Sequence, residues 1–275
     1  MKVRVITGAI LALVFVPLFI VGGLILNIAL LILTMIATYE LFRLYNTKEQ
    51  LPLYLGGLYM LFSGGLYLII QQSYQDASNF GVEWIFLAIV LIVIVGSLLV
   101  VFVDLFDSSR IGEFLFSILF PSIGFGAIYG LRSFGLDTIG FLFLITIATD
   151  VFAYIVGINF GKHRLAIKIS PKKSIEGSIG GTFFALVFTM LYIWLLNMEM
   201  VGDITLSIGV SIDLIIFISI IGQIGDLVAS KLKRSVGIKD FSNLFPGHGG
   251  VMDRFDSALF AAMVLMFISK VVGLL

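Results

Sequence analysis

The residues able to do chemistry are concentrated in one stretch of the chain, GDLVASKLKRSVGIKDFSNLFPGHGGVMDRFDS, which runs from residue 225 to residue 257. The chain has only two histidines and no cysteine, so any metal must be held by oxygen. Asp253 and Asp256 stand three residues apart and therefore share a helix face, where Asp226 can meet them. Carboxylates suit Mg²⁺, which shares its oxygen ligands with substrate phosphates. The spacing therefore predicts a metal site made by Asp226, Asp253 and Asp256.

A turn with little side-chain bulk precedes the last two of these acids. Its sequence is PGHGG, residues 246 to 250. Glycines let backbone N–H groups approach anionic oxygens closely. We therefore interpret Gly247, Gly249 and Gly250 as a phosphate-binding turn in which His248 donates a hydrogen bond.

Basic and polar side chains accompany the acids. On a helix, Ser230 and Lys233 lie on the same face as Asp226, four and seven residues further on. We expect the basic residues of the stretch to neutralise phosphate oxygens, and we include two further polar residues among those that bind substrate. The basic residues are Lys233, Arg234, Lys239 and Arg254; the polar ones are Ser230 and Asp240.

A second group of candidate residues lies upstream, in ATDVFAYIVGINFGKHRLAIKISPKKSIEGSIGG. Asp150 interrupts an apolar run, and a carboxylate in such a position is by default a functional residue. Lys172 and Lys173 follow Pro171 and are suited to hold a triphosphate or a lipid phosphate. We expect Asp150, Lys172 and Lys173 to complete the site.

Each feature taken alone also has a simpler explanation. Lysines between membrane helices can merely orient the protein or attract anionic lipid. Asp253 and Asp256 can cap the helix that follows them, and Asp150 can be the structural partner of a buried hydroxyl or basic group. The functional interpretation rests on the combination of acids, bases and a phosphate-compatible turn within about thirty residues.

The elements that position these residues are membrane helices. The chain is 60% hydrophobic and 12% charged, whereas soluble domains are about 25% charged. About 20 apolar residues span a bilayer, and such runs predict an all-α polytopic bundle of about nine transmembrane helices, with the first two separated near Asn27. The predicted runs are 5–26, 28–45, 51–70, 84–103, 113–131, 138–158, 178–197, 204–229 and 256–274.

The basic residues predict the orientation of this bundle. With a cytoplasmic amino terminus, 15 of the 17 Lys and Arg residues face the inside, and only Arg132 and Lys270 do not. Ten of the fifteen lie in loops 159–177 and 230–255. We therefore divide the chain into scaffold helices, residues 1–135, and a catalytic region, residues 136–275, with the active site at the cytoplasmic side of the cell's inner or plasma membrane. The apolar start continues into a second apolar run, which favours a first membrane helix over a secretory signal.

From Ser230 to Asp256 the pattern S-x-x-K-R-x4-K-D-x3-L-F-P-G-H-G-G-V-x-D-R-x-D resembles the signature of the phosphatidate cytidylyltransferases, also called CDP-diacylglycerol synthases. SPKKSIEG is similar to a second element of that family, although Ile175 stands where tryptophan is expected. Close similarity covers residues 148 to 257. The resemblance implies a Mg²⁺-dependent reaction of CTP with phosphatidate that yields CDP-diacylglycerol and pyrophosphate, with one or two cations.

Two other classes of membrane protein agree less well with the sequence: other lipid transferases and transporters. CDP-alcohol phosphotransferases and prenyltransferases are expected to carry D-G-x2-A-R or N-D-x-x-D motifs, and neither pattern occurs in this sequence. A transporter would place its site near the midplane of the bilayer, whereas these charges cluster at one face. The expected partners are CTP, phosphatidate and the bilayer; zero net charge argues against nucleic acid, and homo-oligomerisation stays open.

Overall fold

The fold is known from a computed structural model that describes residues 2–47, 51–75 and 80–274. Within these ranges the chain forms nine helices and two short antiparallel hairpins. The helices are α1 (Lys2–Val21), α2 (Gly23–Tyr45), α3 (Leu53–Gln75), α4 (Phe80–Phe102), α5 (Ser108–Phe134), α6 (Leu136–Phe160), α7 (Ile175–Leu196), α8 (Ile208–Ser235) and α9 (Met252–Gly273). The strands are β1 (Arg164–Ala166), β2 (Ser170–Ser174), β3 (Met200–Val201) and β4 (Ile204–Thr205).

Eight of the helices in the described part of the chain are long and apolar enough to cross a membrane; the apolar part of α1, Thr7–Val21, is shorter. In hydrocarbon every backbone N–H and C=O needs an internal partner, which a helix supplies within one segment. The predicted polytopic all-α membrane fold is therefore confirmed. The hairpins β1–β2 and β3–β4 are additions that hydropathy did not predict.

The break between the first two helices differs from its predicted place. It falls at Gly22 and Gly23, whose φ angles of 65° and 56° are in the region that favours glycine. Asn27 lies inside α2, and its side-chain oxygen accepts a hydrogen bond of 2.9 Å from the Tyr67 hydroxyl. The amide therefore pairs with α3 instead of ending a helix.

The eighth helix extends further than its apolar run. α8 continues to Ser235, so Ser230, Lys233 and Arg234 lie on a helix and not in a loop as predicted. Its last turn carries two basic side chains, which interact favourably with the negative end of the helix dipole. Likewise, α9 begins at Met252, several residues before its apolar run.

The structure divides into two compact units. The first comprises the described residues up to Gly130 together with Val236–Arg254, and the second comprises Leu131–Ser235 together with the described residues from Phe255 onward. The predicted domains, 1–135 and 136–275, kept the whole segment 230–255 with the second half of the chain. In the structure, residues 236–254 pack with the first half.

Aromatic packing forms the core of the first unit. Phe42 of α2, Tyr59 of α3 and Phe114 of α5 are buried, with ring centroids 5.0 Å apart for Phe42 and Tyr59 and 4.8 Å for Tyr59 and Phe114. Both pairs meet edge to face, the arrangement that the ring quadrupoles favour. α4 buries little of its apolar surface, so it is suited to face lipid.

Glycines set the spacing of α6 and α7 in the second unit. A Cβ atom added at Gly177 would lie 2.6 Å from the carbonyl oxygen of Ala153, and one at Gly181 would lie 2.6 Å from that of Thr149. Small residues four apart let membrane helices approach backbone to backbone. This close packing holds the β1–β2 hairpin, which connects α6 to α7, over the ends of both helices.

Some residues used to predict orientation lie outside the described structure. They are Lys48 and Asp76, together with the side chains of Lys2 and Arg4.

Candidate active site

Three acids of the second unit come together where α8, α9 and α6 meet. Gly225 lies against α9 so closely that an added Cβ would be 2.7 Å from the carbonyl oxygen of Asp256. This crossing places Asp226, the next residue of α8, beside α9. Asp256 lies within electrostatic interaction range of both Asp226 and Asp150, and also of Lys233. Asp150, which was expected to complete the site from the upstream segment, therefore lies beside the other carboxylates.

Hydroxyl groups orient these acids. Ser230 donates to Oδ1 of Asp226 at 3.3 Å, as expected for residues four apart on a helix. Ser257 donates its hydroxyl to Oδ2 of Asp150 at 3.2 Å, which links α9 to α6. The backbone N–H of Ser257 also donates to Oδ1 of Asp256 at 2.8 Å. The cluster offers only oxygen atoms and has cations beside it.

One of those cations comes from the β1–β2 hairpin. Lys173 forms an ion pair with Oδ2 of Asp226, and both side chains keep about a quarter of their surface exposed, 28% and 27%. Lys172, its neighbour, is exposed. The hairpin thus brings the predicted lysine of the upstream group onto the predicted acid of α8.

The base of the hairpin is held by Glu176 at the start of α7. Its carboxylate accepts hydrogen bonds from the backbone N–H groups of Lys162 and His163, at 3.1 and 3.2 Å, and contacts Nδ1 of His163 at 2.6 Å. Ser174 caps α7 by accepting from Gly177 N–H at 3.1 Å. These bonds fix the hairpin relative to α7, and so they fix Lys173.

A cleft of about 590 Å³ opens between the hairpin and helices α6 to α8. Its volume is within the roughly 300 to 1,000 Å³ of small-molecule sites. Asp150, Lys172, Lys173 and Asp226 were predicted as site residues, and all four line the cleft. Its other polar lining residues were not predicted: they are Tyr154, Arg164, Ser174, Ser178 and Gln223.

Gln223 begins a hydrogen-bonded chain that leads from the cleft between the helices. It accepts from the Ser178 hydroxyl and donates to Thr182 at 3.0 Å. Ser219 then bonds Thr182 at 2.9 Å and Thr149 at 2.8 Å. Gln223 lies three residues before Asp226, and that spacing is the sequence signal that could have identified it.

The phosphate-turn segment belongs to the first unit, where Asp253 organises it. Oδ2 of Asp253 accepts from the backbone N–H groups of Phe241 at 2.8 Å and Gly250 at 2.9 Å. Gly247 and Gly249 have φ angles of 75° and 82°, which side chains rarely adopt. A Cβ at Gly249 would also lie 2.5 Å from Oδ2 of Asp253. Backbone geometry thus favours glycine at residues 247 and 249, and the contact with Asp253 leaves no room for a side chain at Gly249.

His248 sits within this turn beside α1. Its backbone N–H donates to Phe245 at 2.8 Å, and a Cβ on Gly8 would lie 3.5 Å from the imidazole Nε2. Thr7 donates to the carbonyl of Pro246 at 3.1 Å. Nδ1 of His248 is buried and has no hydrogen-bond partner among the described residues. A buried polar atom of this kind is suited to bind a ligand oxygen.

Glu40, in the half of the chain predicted to be scaffold, also holds this segment. It is buried in α2 and accepts hydrogen bonds from the Ser242 hydroxyl at 2.6 Å, Val251 N–H at 3.0 Å and Met252 N–H at 2.9 Å. A buried carboxylate is costly unless its oxygens are hydrogen-bonded, and each bond to a charged group contributes roughly 1.5 to 3 kcal/mol. Glu40 is therefore satisfied by the segment it contacts.

The remaining predicted residues are placed as follows. Lys233 is buried on α8, while Arg234 at its end is exposed. Lys239 and Asp240 are exposed on the segment that leads into α9, and Arg254 is exposed in the first turn of α9.

A cation site is not preassembled in the described part of the chain, where no three His, Asp or Glu side chains are grouped as metal ligands. The chemistry of the cluster nevertheless fits a hard cation, because its donors are carboxylate and hydroxyl oxygens. Asp150, Asp226 and Asp256 are brought together in the second unit. Asp253 belongs to the first unit, where Oδ2 serves the phosphate turn, and its metal-binding role stays a prediction.

Eight membrane-length helices, a cleft with paired acids and bases, and a glycine turn define a membrane-embedded enzyme that handles phosphates. Residues 2–272 match the cytidylyltransferase family. The chain belongs to this family.

The chain is also similar to individual proteins over almost their whole length. The phosphatidate cytidylyltransferase of Staphylococcus epidermidis strain RP62A is 37% identical over 270 residues, which cover 96% of this chain and 97% of that protein. Those of Staphylococcus aureus strain COL and Staphylococcus haemolyticus are 35% identical over 271 and 266 residues, with the same coverage. The similarity thus extends through the amino-terminal half, which the motifs did not reach.

Proposed function

We propose that the chain is a phosphatidate cytidylyltransferase, which transfers CMP from CTP to phosphatidate and releases pyrophosphate. The observation that carries this proposal is the cleft in which Lys173 pairs with Asp226 beside Asp150. A phosphate monoester and a triphosphate both need cations, and the acids beside those cations are suited to a metal that binds both. The family and its full-length relatives support the same reaction.

In this reaction a phosphate oxygen of phosphatidate attacks the α-phosphorus of CTP. A new P–O bond forms there as the bond to the β-phosphate oxygen breaks, and pyrophosphate leaves with that electron pair. Phosphatidate is already an anion, so its oxygen needs no strong base. Catalysis must come from orientation and from neutralisation of the negative charges that approach each other.

The cleft is the proposed site of the phosphatidate head group. Lys172, Lys173 and Arg164 supply its positive charges, and Ile158 and Leu165 supply an apolar part of its lining. A lipid phosphate needs cationic and apolar surface in one site, because its acyl chains stay in the bilayer. Tyr154, one turn beyond Asp150 on α6, lines the same cleft.

The turn at residues 247 to 250 is the proposed site of the CTP triphosphate. Gly247 and Gly249 have positive φ and no side chain, so an anion can approach the backbone of the turn closely, while His248 N–H and Gly250 N–H donate to Phe245 and Asp253 and hold its shape. The unpartnered Nδ1 of His248 is available to bond a phosphate oxygen. Lys239 and Arg254 are exposed on the same unit as the turn and are suited to neutralise further oxygens, and Lys233 and Arg234 of α8 keep the same proposed role.

Mg²⁺, when bound, would supply positive charge that offsets the negative charge developing on the leaving pyrophosphate. Asp226 and Asp256 are the proposed ligands, with Asp150 beside them, and the predicted participation of Asp253 and of a second cation stays open to test. Lys173 neutralises Asp226 in the structure. Its ammonium is also suited to hold a phosphate oxygen of phosphatidate, because it lines the same cleft.

We further propose that the amino terminus and the site face the cytoplasm. The distribution of Lys and Arg supports this orientation, because basic residues concentrate in cytoplasmic loops. Cytosolic CTP then reaches the site directly, while phosphatidate diffuses to it within the inner or plasma membrane.

The test is a transfer assay with purified protein, radiolabelled CTP and phosphatidate in mixed micelles. Organic-soluble label that requires both phosphatidate and Mg²⁺, and that disappears with EDTA, supports the proposal. Asp226→Asn should lose at least 100-fold in rate, whereas Asp213→Asn, the same change about 20 Å away on the same helix, should keep it. Failure of purified, folded wild-type protein to label lipid would refute the function.

A further inference from the structure

Glu40 joins two parts of the phosphate-turn segment to α2 through a single carboxylate. Oε1 accepts from Ser242 and Val251, and Oε2 accepts from Met252. Ser242 and Met252 are ten residues apart and flank the turn. Both ends of the turn are therefore tied to one rigid helix, although no residue of the turn itself reaches the carboxylate through its side chain.

The fit leaves no room for an alternative arrangement at the end of the turn. A Cβ atom added at Gly250 would lie 2.5 Å from Cδ of Glu40 and 2.6 Å from its Oε2. Gly250 N–H donates in addition to Asp253. Gly250 is thus clamped between two acids, one on α2 and one on α9.

The same carboxylate completes the beginning of α9. The first N–H groups of a helix have no partner within the helix, and here Glu40 accepts that of Met252, the first residue of α9. Asp253 lies in the first turn of the same helix. The first residues of α9, which include Asp253 and Arg254, are therefore held by a bond to α2.

We propose that Glu40 is a positioning residue of the transfer reaction: it contacts neither substrate, but it fixes the turn that binds the CTP triphosphate and the start of α9. This proposal rests on the proposed function, because it assigns the turn to CTP. Loss of the carboxylate would let the turn sample other conformations, so CTP binding would suffer while the phosphatidate cleft would not.

Steady-state kinetics of full-length protein test the inference. Glu40→Gln keeps the size of the side chain but loses one of its acceptor oxygens, and the KM for CTP should rise at least tenfold while the KM for phosphatidate changes less than twofold. Ser242→Ala removes one of the three bonds to Glu40, together with the local bond from Leu244 N–H, so its KM for CTP should rise about two- to fivefold. It is also the variant to use if Glu40→Gln does not fold.

Thr34→Val is the matched control, because Thr34 is buried on the same helix and its hydroxyl donates within that helix, to the carbonyl of Leu30. Its kinetic constants should equal those of the wild type. A purely structural role for Glu40 would lower the active fraction and hence kcat, with both KM values unchanged, and that result would overturn the proposal. A rise in KM for phosphatidate alone would also overturn it.

Hydrogen exchange separates this proposal from the proposed function. Amides in the peptide that contains Val251 and Met252 should exchange at least fivefold faster in Glu40→Gln, with the α6 to α8 peptides unchanged. If wild-type protein makes no CDP-diacylglycerol, the proposed function fails while this exchange result still tests the anchoring. If the wild type is active and exchange is unaltered, Glu40 does not position the turn.

Discussion

Removing the charge of Lys173 tests whether the ion pair in the cleft belongs to the catalytic machinery. Lys173→Met keeps the aliphatic stem and removes the ammonium that pairs with Asp226. A charge-assisted contact to a phosphate is worth about 1.5 to 3 kcal/mol, so kcat/KM for phosphatidate should fall roughly 10- to 150-fold. The transfer assay at low phosphatidate concentration measures this value directly.

The interaction energy of the ion pair between Lys173 and Asp226 follows from its charges and its exposure to solvent. Unit charges in contact at about 4 Å attract by about 4 kcal/mol when the effective dielectric constant is near 20. Because about a quarter of each side chain is exposed, solvent screening and ordering of the side chains reduce this attraction to about 1 to 2 kcal/mol. A double-mutant cycle of Lys173→Met with Asp226→Asn should therefore depart from multiplicative rates by about 5- to 30-fold.

Lys168→Met provides the control, since Lys168 is an exposed lysine of the same connection that does not line the cleft. Its activity should match that of the wild type. If the rate loss of the double variant equals the product of the two single losses within twofold, the lysine and the aspartate act independently. If Lys173→Met is as active as Lys168→Met, the assignment of the cleft to phosphatidate is wrong.

Three further predictions follow from the packing and from the oxygen ligands. Gly250→Ala should displace Glu40 and lower kcat/KM for CTP at least tenfold, and unchanged CTP kinetics would contradict the tight fit of this glycine. Gly177→Ala should destabilise the protein by about 1 to 3 kcal/mol, seen as a lower Tm, because its Cβ would press on the Ala153 carbonyl; Gly112→Ala, with open space around it, should not lower Tm. Chelation with EDTA should abolish transfer and added Mg²⁺ should restore it, so full activity in EDTA would exclude the cation site.

The membrane fold was predictable because it depends on the solvent. A bilayer requires long apolar helices, and such runs are visible in any sequence. The ends of the helices were less predictable, because polar residues can continue a helix beyond the bilayer. α8 does so through Lys233 and Arg234, and these residues were consequently assigned to a loop.

Much of the site was predictable from local spacing. Ser230 bonds Asp226 because residues four apart share a helix face, and the glycines of the PGHGG turn adopt the positive φ angles that their type permits. The pairing of Lys173 with Asp226 was expected only in general terms, since the two groups of residues had to meet for the proposed chemistry.

By itself, the sequence determined that the chain lies in a membrane, that any metal ligands must be oxygens, and that acids and bases gather around a glycine turn. These properties follow from residue type and from periodicity within one element. Only the tertiary structure decided that Asp150 joins Asp256, that Asp253 holds the phosphate turn, and that Glu40 bonds Val251 across 211 positions of sequence. Helical periodicity shows which residues share one face of a helix. Which other helix packs on that face depends on the shapes of all the helices together.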